Sequence, residues 1–151
     1  MSTITPQQAL HRLAALCSRG ECCIYDLRRK MIRWELSETV QQQIIRQLQK
    51  EQFLNEQRFC MAYVKDKSKY NRWGINKIRY ELKKKQIADA LINEALSAID
   101  PQDNREQLRQ LLESKRKSVK GNSAYEINQK LVRFAVGRGF SYDDIAAILQ
   151  L

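Results

Sequence analysis

The sequence predicts an all-α protein: three tandem three-helix repeats stacked into an elongated, curved helical array of right- or left-handed twist. Three observations predict it. No run alternates with period two for long enough to suggest a sheet, whereas apolar residues recur at three- and four-residue spacing along the chain. Only two prolines occur in 151 residues, both at expected helix starts, and glycine is scarce, with five. Finally, the middle helix of each triplet carries the same apolar ladder. Ile24, Leu27, Met31 and Leu36 have steps of 3, 4 and 5, as do Ile75, Ile78, Leu82 and Ile87, and again Ala124, Ile127, Leu131 and Val136. The copies are offset by 51 and 49 residues, and Gly20, Gly74 and Gly121 punctuate them in phase. A three-helix unit cannot seal its own apolar face well, so stacked copies share a core and offer a long surface to a partner. The repeats are set at residues 1–53, 54–101 and 102–151.

Each element has its own signals. Thr5-Pro6 reads as an N-cap followed by proline at the first helical position, and Leu10, Leu13, Ala14 and Cys17 make one face before Gly20 stops the helix. Ile24, Leu27 and Met31 line the second helix. Ser37 caps a third, with Val40, Ile44 and Leu48 aligned. Asn55 caps a fourth, with Phe59, Ala62 and Tyr63 inward, and Asn71-Arg72-Trp73-Gly74 breaks it. Ile75, Ile78 and Leu82 define the fifth; Leu91, Ile92, Ala95, Leu96 and Ile99 define a sixth that starts near Ala88. Asp100-Pro101 opens the seventh, with Leu108, Leu111 and Leu112 inward. Lys120-Gly121-Asn122 breaks it. Ser123 caps an eighth with Ile127, Leu131 and Phe134, which Gly139 ends, and Ser141 with Asp144 caps a short ninth with Ile145, Ile148 and Leu149.

Charge carries the functional reading. The chain has 43% hydrophobic residues and a net charge of +10. That excess suits nucleic acid, an anionic membrane surface or an acidic protein face. From Arg58 to Lys85 ten lysines and arginines face two acids, Asp66 and Glu81. Lys77–Glu81 and Glu81–Lys85 are four apart, so part of this charge is a solvated, paired helix face. Pairing cannot absorb the whole set, and a bound anionic partner would relieve the repulsion. Arg28, Arg29, Lys30 and Arg33 form a related cluster in the first unit, and Lys115, Arg116, Lys117 and Lys120 form one before the third break. Trp73 and Tyr70 lie among these charges, where aromatic rings can stack on bases; the plainer role for Trp73 is to close its turn over the core, and Trp34 is read as packing.

Other chemistry finds little footing. Cys17, Cys22, Cys23 and Cys60 with the lone His11 lack zinc-site spacing and read as reduced, buried thiols. No cofactor or metal site is expected. There is no G-x-S-x-G, no phosphate-cradling glycine loop and no acidic cluster for magnesium, so no catalysis is expected. The stretch from Gly139 to Ala146 resembles entry to a helix-turn-helix, but no recognition helix follows it in the sequence. No apolar run approaches the roughly 18 to 20 residues of a membrane span, and the first ten residues lack a secretory signal pattern. A cytoplasmic monomer is expected.

These residues carry a family resemblance. Residues 54–87, LNEQRFCMAYVKDKSKYNRWGINKIRYELKKKQI, resemble the central block of the RecX regulators of the RecA recombinase, with Phe59, Ala62, Trp73, Gly74, Ile78, Arg79, Glu81, Leu82 and Ile87 matching. KLVRFAVGRGFSYDDIAAIL is similar to the family's C-terminal block, with Arg138-Gly139-Phe140 its most specific piece. ALHRLAALCSRGECCIYDLRRKM resembles the first block more loosely. Ile75 stands where the family usually has proline, Gln86 where it usually has glycine, and Cys22-Cys23 at polar or small positions. The resemblance implies the same triple three-helix architecture. It also implies a non-catalytic modulator that binds in the groove of the RecA–DNA filament and depresses ATPase, strand-exchange and coprotease activities, with some members binding DNA directly. The candidate contacts are Lys65, Lys67, Lys69, Lys77, Arg79, Lys83, Lys84, Lys85, Lys115, Arg116 and Lys117. Their expected role is electrostatic, toward phosphate oxygens or recombinase carboxylates, on single-stranded DNA within the filament or alone.

Overall fold

The computed structural model describes residues 4–151. Among them it has nine α-helices and no strand: α1 (Pro6–Arg19), α2 (Ile24–Arg33), α3 (Glu38–Lys50), α4 (Glu56–Lys69), α5 (Ile75–Lys84), α6 (Asp89–Ser97), α7 (Pro101–Arg116), α8 (Ala124–Gly137) and α9 (Tyr142–Leu149). Residues 1–3 of the first expected repeat lie outside the described residues. Local chemistry sets the helix starts. The hydroxyls of Thr5, Ser37, Ser123 and Ser141 and the side chains of Asn55 and Asp100 each accept a first-turn backbone N–H. Thr5 and Gln8 close a reciprocal capping box.

Three hydrophobic cores follow in chain order. The first gathers α1–α3 around Leu13, Leu27, Met31, Ile45 and Leu48. The second gathers α4–α6 around Phe59, Val64, Ile78, Leu82 and Ile92. The third gathers α7–α9 around Leu108, Leu112, Leu131, Phe140 and Ile145. Leu54 packs into the first core, its N–H donating to the Leu48 carbonyl, although the sequence assigns it to the second repeat. Cys23 and Tyr25, from the first triplet, contribute to the second core, so the first two cores interlock.

The turn from middle to third helix is the most faithful repeat. Glu35, Gln86 and Gly139 all have positive φ, of 58°, 59° and 98°. In each case the next residue points inward and donates its N–H back five residues: Leu36 to Met31, Ile87 to Leu82, Phe140 to Ala135. This sets the register at Leu27, Ile78 and Leu131, offsets of 51 and 53. The offset of 49 read from the third ladder is therefore corrected. α8 has 14 residues against 10 in α5, so counting from its N-terminal end slips by one turn. Ala124 and Val136 are accordingly exposed, and Ala135 and Phe140 take the buried positions. Ala62 is likewise exposed rather than inward, because α4 turns Cys60 and Val64 to the core.

Each of the first two middle helices is capped at its start by the unit that follows it. Neither Cys23 nor Gly74 caps its helix with a side chain. The Glu56 carboxylate of α4 instead accepts the Ile24 N–H at the start of α2, 3.0 Å away. At the start of α5 the Gly74 N–H donates to the Arg138 carbonyl at 2.7 Å and the Asn76 N–H to the Gly139 carbonyl at 3.0 Å. The carbonyls just past the C-terminal end of α8 thus meet the first amides of α5, an arrangement the helix dipoles favour. Ile75 follows Gly74 at the first helical position, where proline would forfeit no helical hydrogen bond.

Glu56→Ala is expected to cost about 1 kcal/mol, measured by thermal or urea unfolding, as for other lost N-caps. Burial holds the Glu56 pKa above its usual range, more than the Ile24 N–H lowers it. The carboxyl is thus easier to keep protonated in the fold than in the unfolded chain. Its contribution is largest at low pH and declines as pH rises through that elevated pKa. Glu56→Gln keeps an acceptor and cannot ionise, so its melting midpoint gains on wild type between about pH 4 and pH 7.

Candidate functional site

Trp73-Gly74, from the central block, and Arg138-Gly139-Phe140, the most specific piece of the C-terminal block, meet in space. A Cβ added to Gly74 would lie 2.4 Å from the Gly139 carbonyl carbon and oxygen, and one on Gly139 would lie 2.5 Å from the Lys77 backbone N and Cβ. Only two glycines permit backbones this close. The contact brings aromatic rings and cations from both units to one junction. Lys67 Nζ is 5.0 Å and Lys77 Nζ 4.6 Å from the Trp73 ring centre. Across the junction Lys115 Nζ is 4.7 Å and the Arg138 guanidinium 4.8 Å from the Phe134 ring centre. Trp73 also meets Tyr63 edge-on and packs on the second core, which supports its turn-closing role. The Tyr63 hydroxyl is pushed up to about 12 by burial and then by the charge of Glu81, so it stays neutral.

The outer stripe of α5 continues this surface. With Ile78 and Leu82 buried, the opposite face carries Lys77, Tyr80, Lys83 and Lys84 at helical spacing. Tyr80 is 62% exposed, with Lys84 Nζ 5.4 Å from its ring centre. Tyr70, at the end of α4, is 72% exposed beside Lys69. The pairs on this stripe are weak: Lys84–Glu81 at 3.5 Å and Lys83–Asp89 at 3.7 Å, with both lysines more than half exposed. Such pairs contribute little and leave the cations available.

The structure thus gathers Lys67, Lys77 and Lys115 at the junction, with Lys83 and Lys84 beyond it on α5. It sends the others elsewhere. Arg116 and Lys117 are exposed at the end of α7. Lys65 and Lys69 line a cleft between α4, α6 and α7. Arg79 is half-buried and donates to the side-chain Oδ1 of Asn93 at 2.6 Å. Lys85 reaches 59 residues back in sequence to grip both oxygens of Asp26, at 2.8 and 3.0 Å. With Arg58–Glu21 at 3.1 Å, it ties the second unit to the first. Glu81 therefore pairs with Lys84 in place of the expected Lys77 and Lys85. The corrected register also reveals cations the sequence reading missed. Lys130 and Arg133, both exposed, occupy on α8 the positions of Lys77 and Tyr80 on α5. The signal for them was the shared turn at Gln86-Ile87 and Gly139-Phe140.

The thiols are free: Cys17, Cys23 and Cys60 are buried and Cys22 half-buried. Burial raises Cys22 and Cys23 to about 12 and Cys60 to about 11. Among the described residues no group of three or more histidines, cysteines or acids could hold a metal ion. No helix among them is long and apolar enough to cross a membrane.

The chain is similar to known proteins. Models of the second and third three-helix domains of RecX match residues 55–96 and 102–149. The regulatory protein RecX of Actinobacillus pleuropneumoniae serotype 5b is 30% identical over 148 residues, covering 98% of this chain and 95% of that one. RecX of Clostridium botulinum Eklund 17B is 35% identical over 100 residues, or 65% of this chain and 46% of that one. The chain spans about half the length of the clostridial relatives it matches. A crystal structure of RecX from Lactobacillus salivarius superposes with a TM-score of 0.82 at 21% identity, covering 96% of this chain and 94% of that one. Another crystal structure of a regulatory protein RecX gives 0.86 at 19% identity, covering 96% and 72%.

Proposed function

Since the chain belongs to the RecX family of regulatory proteins, we propose that it binds the RecA–DNA filament and inhibits the recombinase's ATPase, strand-exchange and coprotease activities, modulating DNA repair. The observation that carries this reading is the cationic junction of Lys67, Lys77, Lys115 and Arg138 around Trp73 and Phe134, extended by Lys83 and Lys84 on α5. Its positive charge far exceeds its own acids. It spans two units, so it suits an extended anionic partner better than a small ligand. The three triplets, residues 1–53, 54–101 and 102–151, act as successive modules along that partner, and the protein works by occupancy without chemistry.

A second reading, direct binding of single-stranded DNA without a recombinase, is favoured by one feature. Tyr70 and Tyr80 are exposed with lysine ammonium groups over their rings, as in sequence-tolerant stacking platforms. Binding to RecA-coated and bare oligonucleotide at matched salt separates the two. The filament reading expects clear preference for the coated strand across the titration. Equal affinity and an equal salt slope on both would support the bare-DNA reading instead.

A further inference from the structure

The cleft between α4, α6 and α7 has different chemistry from the basic junction. It encloses about 640 Å³ between the second and third units. Its floor is apolar but uncovered: Met61 is 41% exposed, and Ala62 and Ala98 are exposed as well. Small side chains there would let another helix approach closely. One wall carries Lys65 and Lys69, and the opposite wall Asp100, Asp103 and Glu106. Among the described residues no ion pair crosses between the walls. Asp100 caps α7 through one carboxylate oxygen, and Glu106 accepts from Arg109 and Gln110 on its own helix, so the acids of this wall are held by α7 and not by the lysines opposite. Gln107 Oε1, also at this cleft, is buried without a hydrogen-bond donor.

A nucleic-acid strand does not fit this chemistry, because the acidic wall repels phosphate. A helix with an apolar ridge does fit it. We propose that the cleft docks an amphipathic protein helix of the recombinase, acidic along the flank facing Lys65 and Lys69 and basic along the flank facing Asp100, Asp103 and Glu106. Its apolar anchors, at i, i+4 and i+7, sit over Met61, Ala62 and Ala98. The inference rests on the filament reading and divides the labour within it. Lys65 and Lys69 recognise protein carboxylates, while Lys77, Lys83 and Lys84 recognise phosphate.

The test is binding of the full chain to RecA filaments on single-stranded DNA, beside binding to the bare strand. Ala62→Trp with Ala98→Trp fills the cleft at two exposed positions and so spares the core. The pair is expected to weaken filament binding at least tenfold and to leave bare-strand binding within twofold. Unchanged filament binding, or equal loss on both, overturns the proposal. Lys65→Glu with Lys69→Glu, and separately Asp103→Lys with Glu106→Lys, provide charge tests that do not depend on the tryptophans folding. Each is expected to weaken filament binding, and full binding by both overturns the cleft. If the wild type shows no preference for the filament, the filament reading itself falls and the helix site with it. If the wild type prefers the filament and every variant does too, only the helix site falls.

Discussion

Gly139→Ala is expected to lower stability by about 3 kcal/mol, which for a chain of this size moves the melting midpoint by roughly 6 to 12 °C. Two costs combine. Gly139 has φ of 98°, a conformation that side-chain-bearing residues rarely adopt. Its new Cβ would also lie 2.5 Å from the Lys77 backbone N, which cannot yield as a flexible side chain could. Gly74→Ala meets the same junction from the other side, 2.4 Å from the Gly139 carbonyl, and loses a similar amount through overpacking alone. Because the junction is also where Lys77 and Arg138 are held, both variants weaken function more than an exposed substitution does. Gly137→Ala is the control. It lies at the end of α8 with nothing near its added Cβ, and it gains about 0.5 kcal/mol from helix propensity. Thermal denaturation followed by helical circular dichroism reads all three. A Gly139→Ala variant as stable as Gly137→Ala would show that the two units do not dock through this contact.

The second large effect is on binding. Lys77→Gln, Lys83→Gln and Lys84→Gln together keep most of each side-chain stem and remove three charges from the outer stripe of α5. Each phosphate contact on a single strand contributes roughly 0.7 to the salt slope, hence about 0.7 decades of affinity at 0.1 M salt. The triple variant should bind single-stranded DNA about 100-fold more weakly there, with a salt slope shallower by about 2. Inhibition of the recombinase should fall in parallel. The existing partners, Asp89 and Glu81, form exposed pairs worth little, so the fold is expected to tolerate the change. Lys85 is left out deliberately. Its grip on Asp26 makes Lys85→Ala a stability variant, costing roughly 1 kcal/mol in a partly exposed pair. An unchanged salt slope in the triple variant would remove α5 from the contact.

Much of this fold was legible because helix starts are decided locally. Thr5, Ser37, Asn55, Ser123 and Ser141 each cap the helix their sequence context announces. The register of the third unit was misread because apolar steps of three and four occur in any amphipathic helix. The left-handed turn at Gly139 identifies the equivalent position where the ladder does not. Contacts across long sequence separations were beyond reach. Nothing near Lys85 announces Asp26, and nothing near Glu56 announces that it caps α2. The basic character of the site was visible in composition. Its sorting into junction, cleft and inter-unit tie was not, because that depends on how the triplets dock.

The most direct test of the account is RecA ATPase on single-stranded DNA at fixed salt, with and without this protein. The account predicts that the wild type depresses turnover in a concentration-dependent way, and that the Lys77, Lys83 and Lys84 triple variant, folded to the same helicity, does so far less. ATPase unaffected by saturating wild type, or depressed equally by the triple variant, would contradict it.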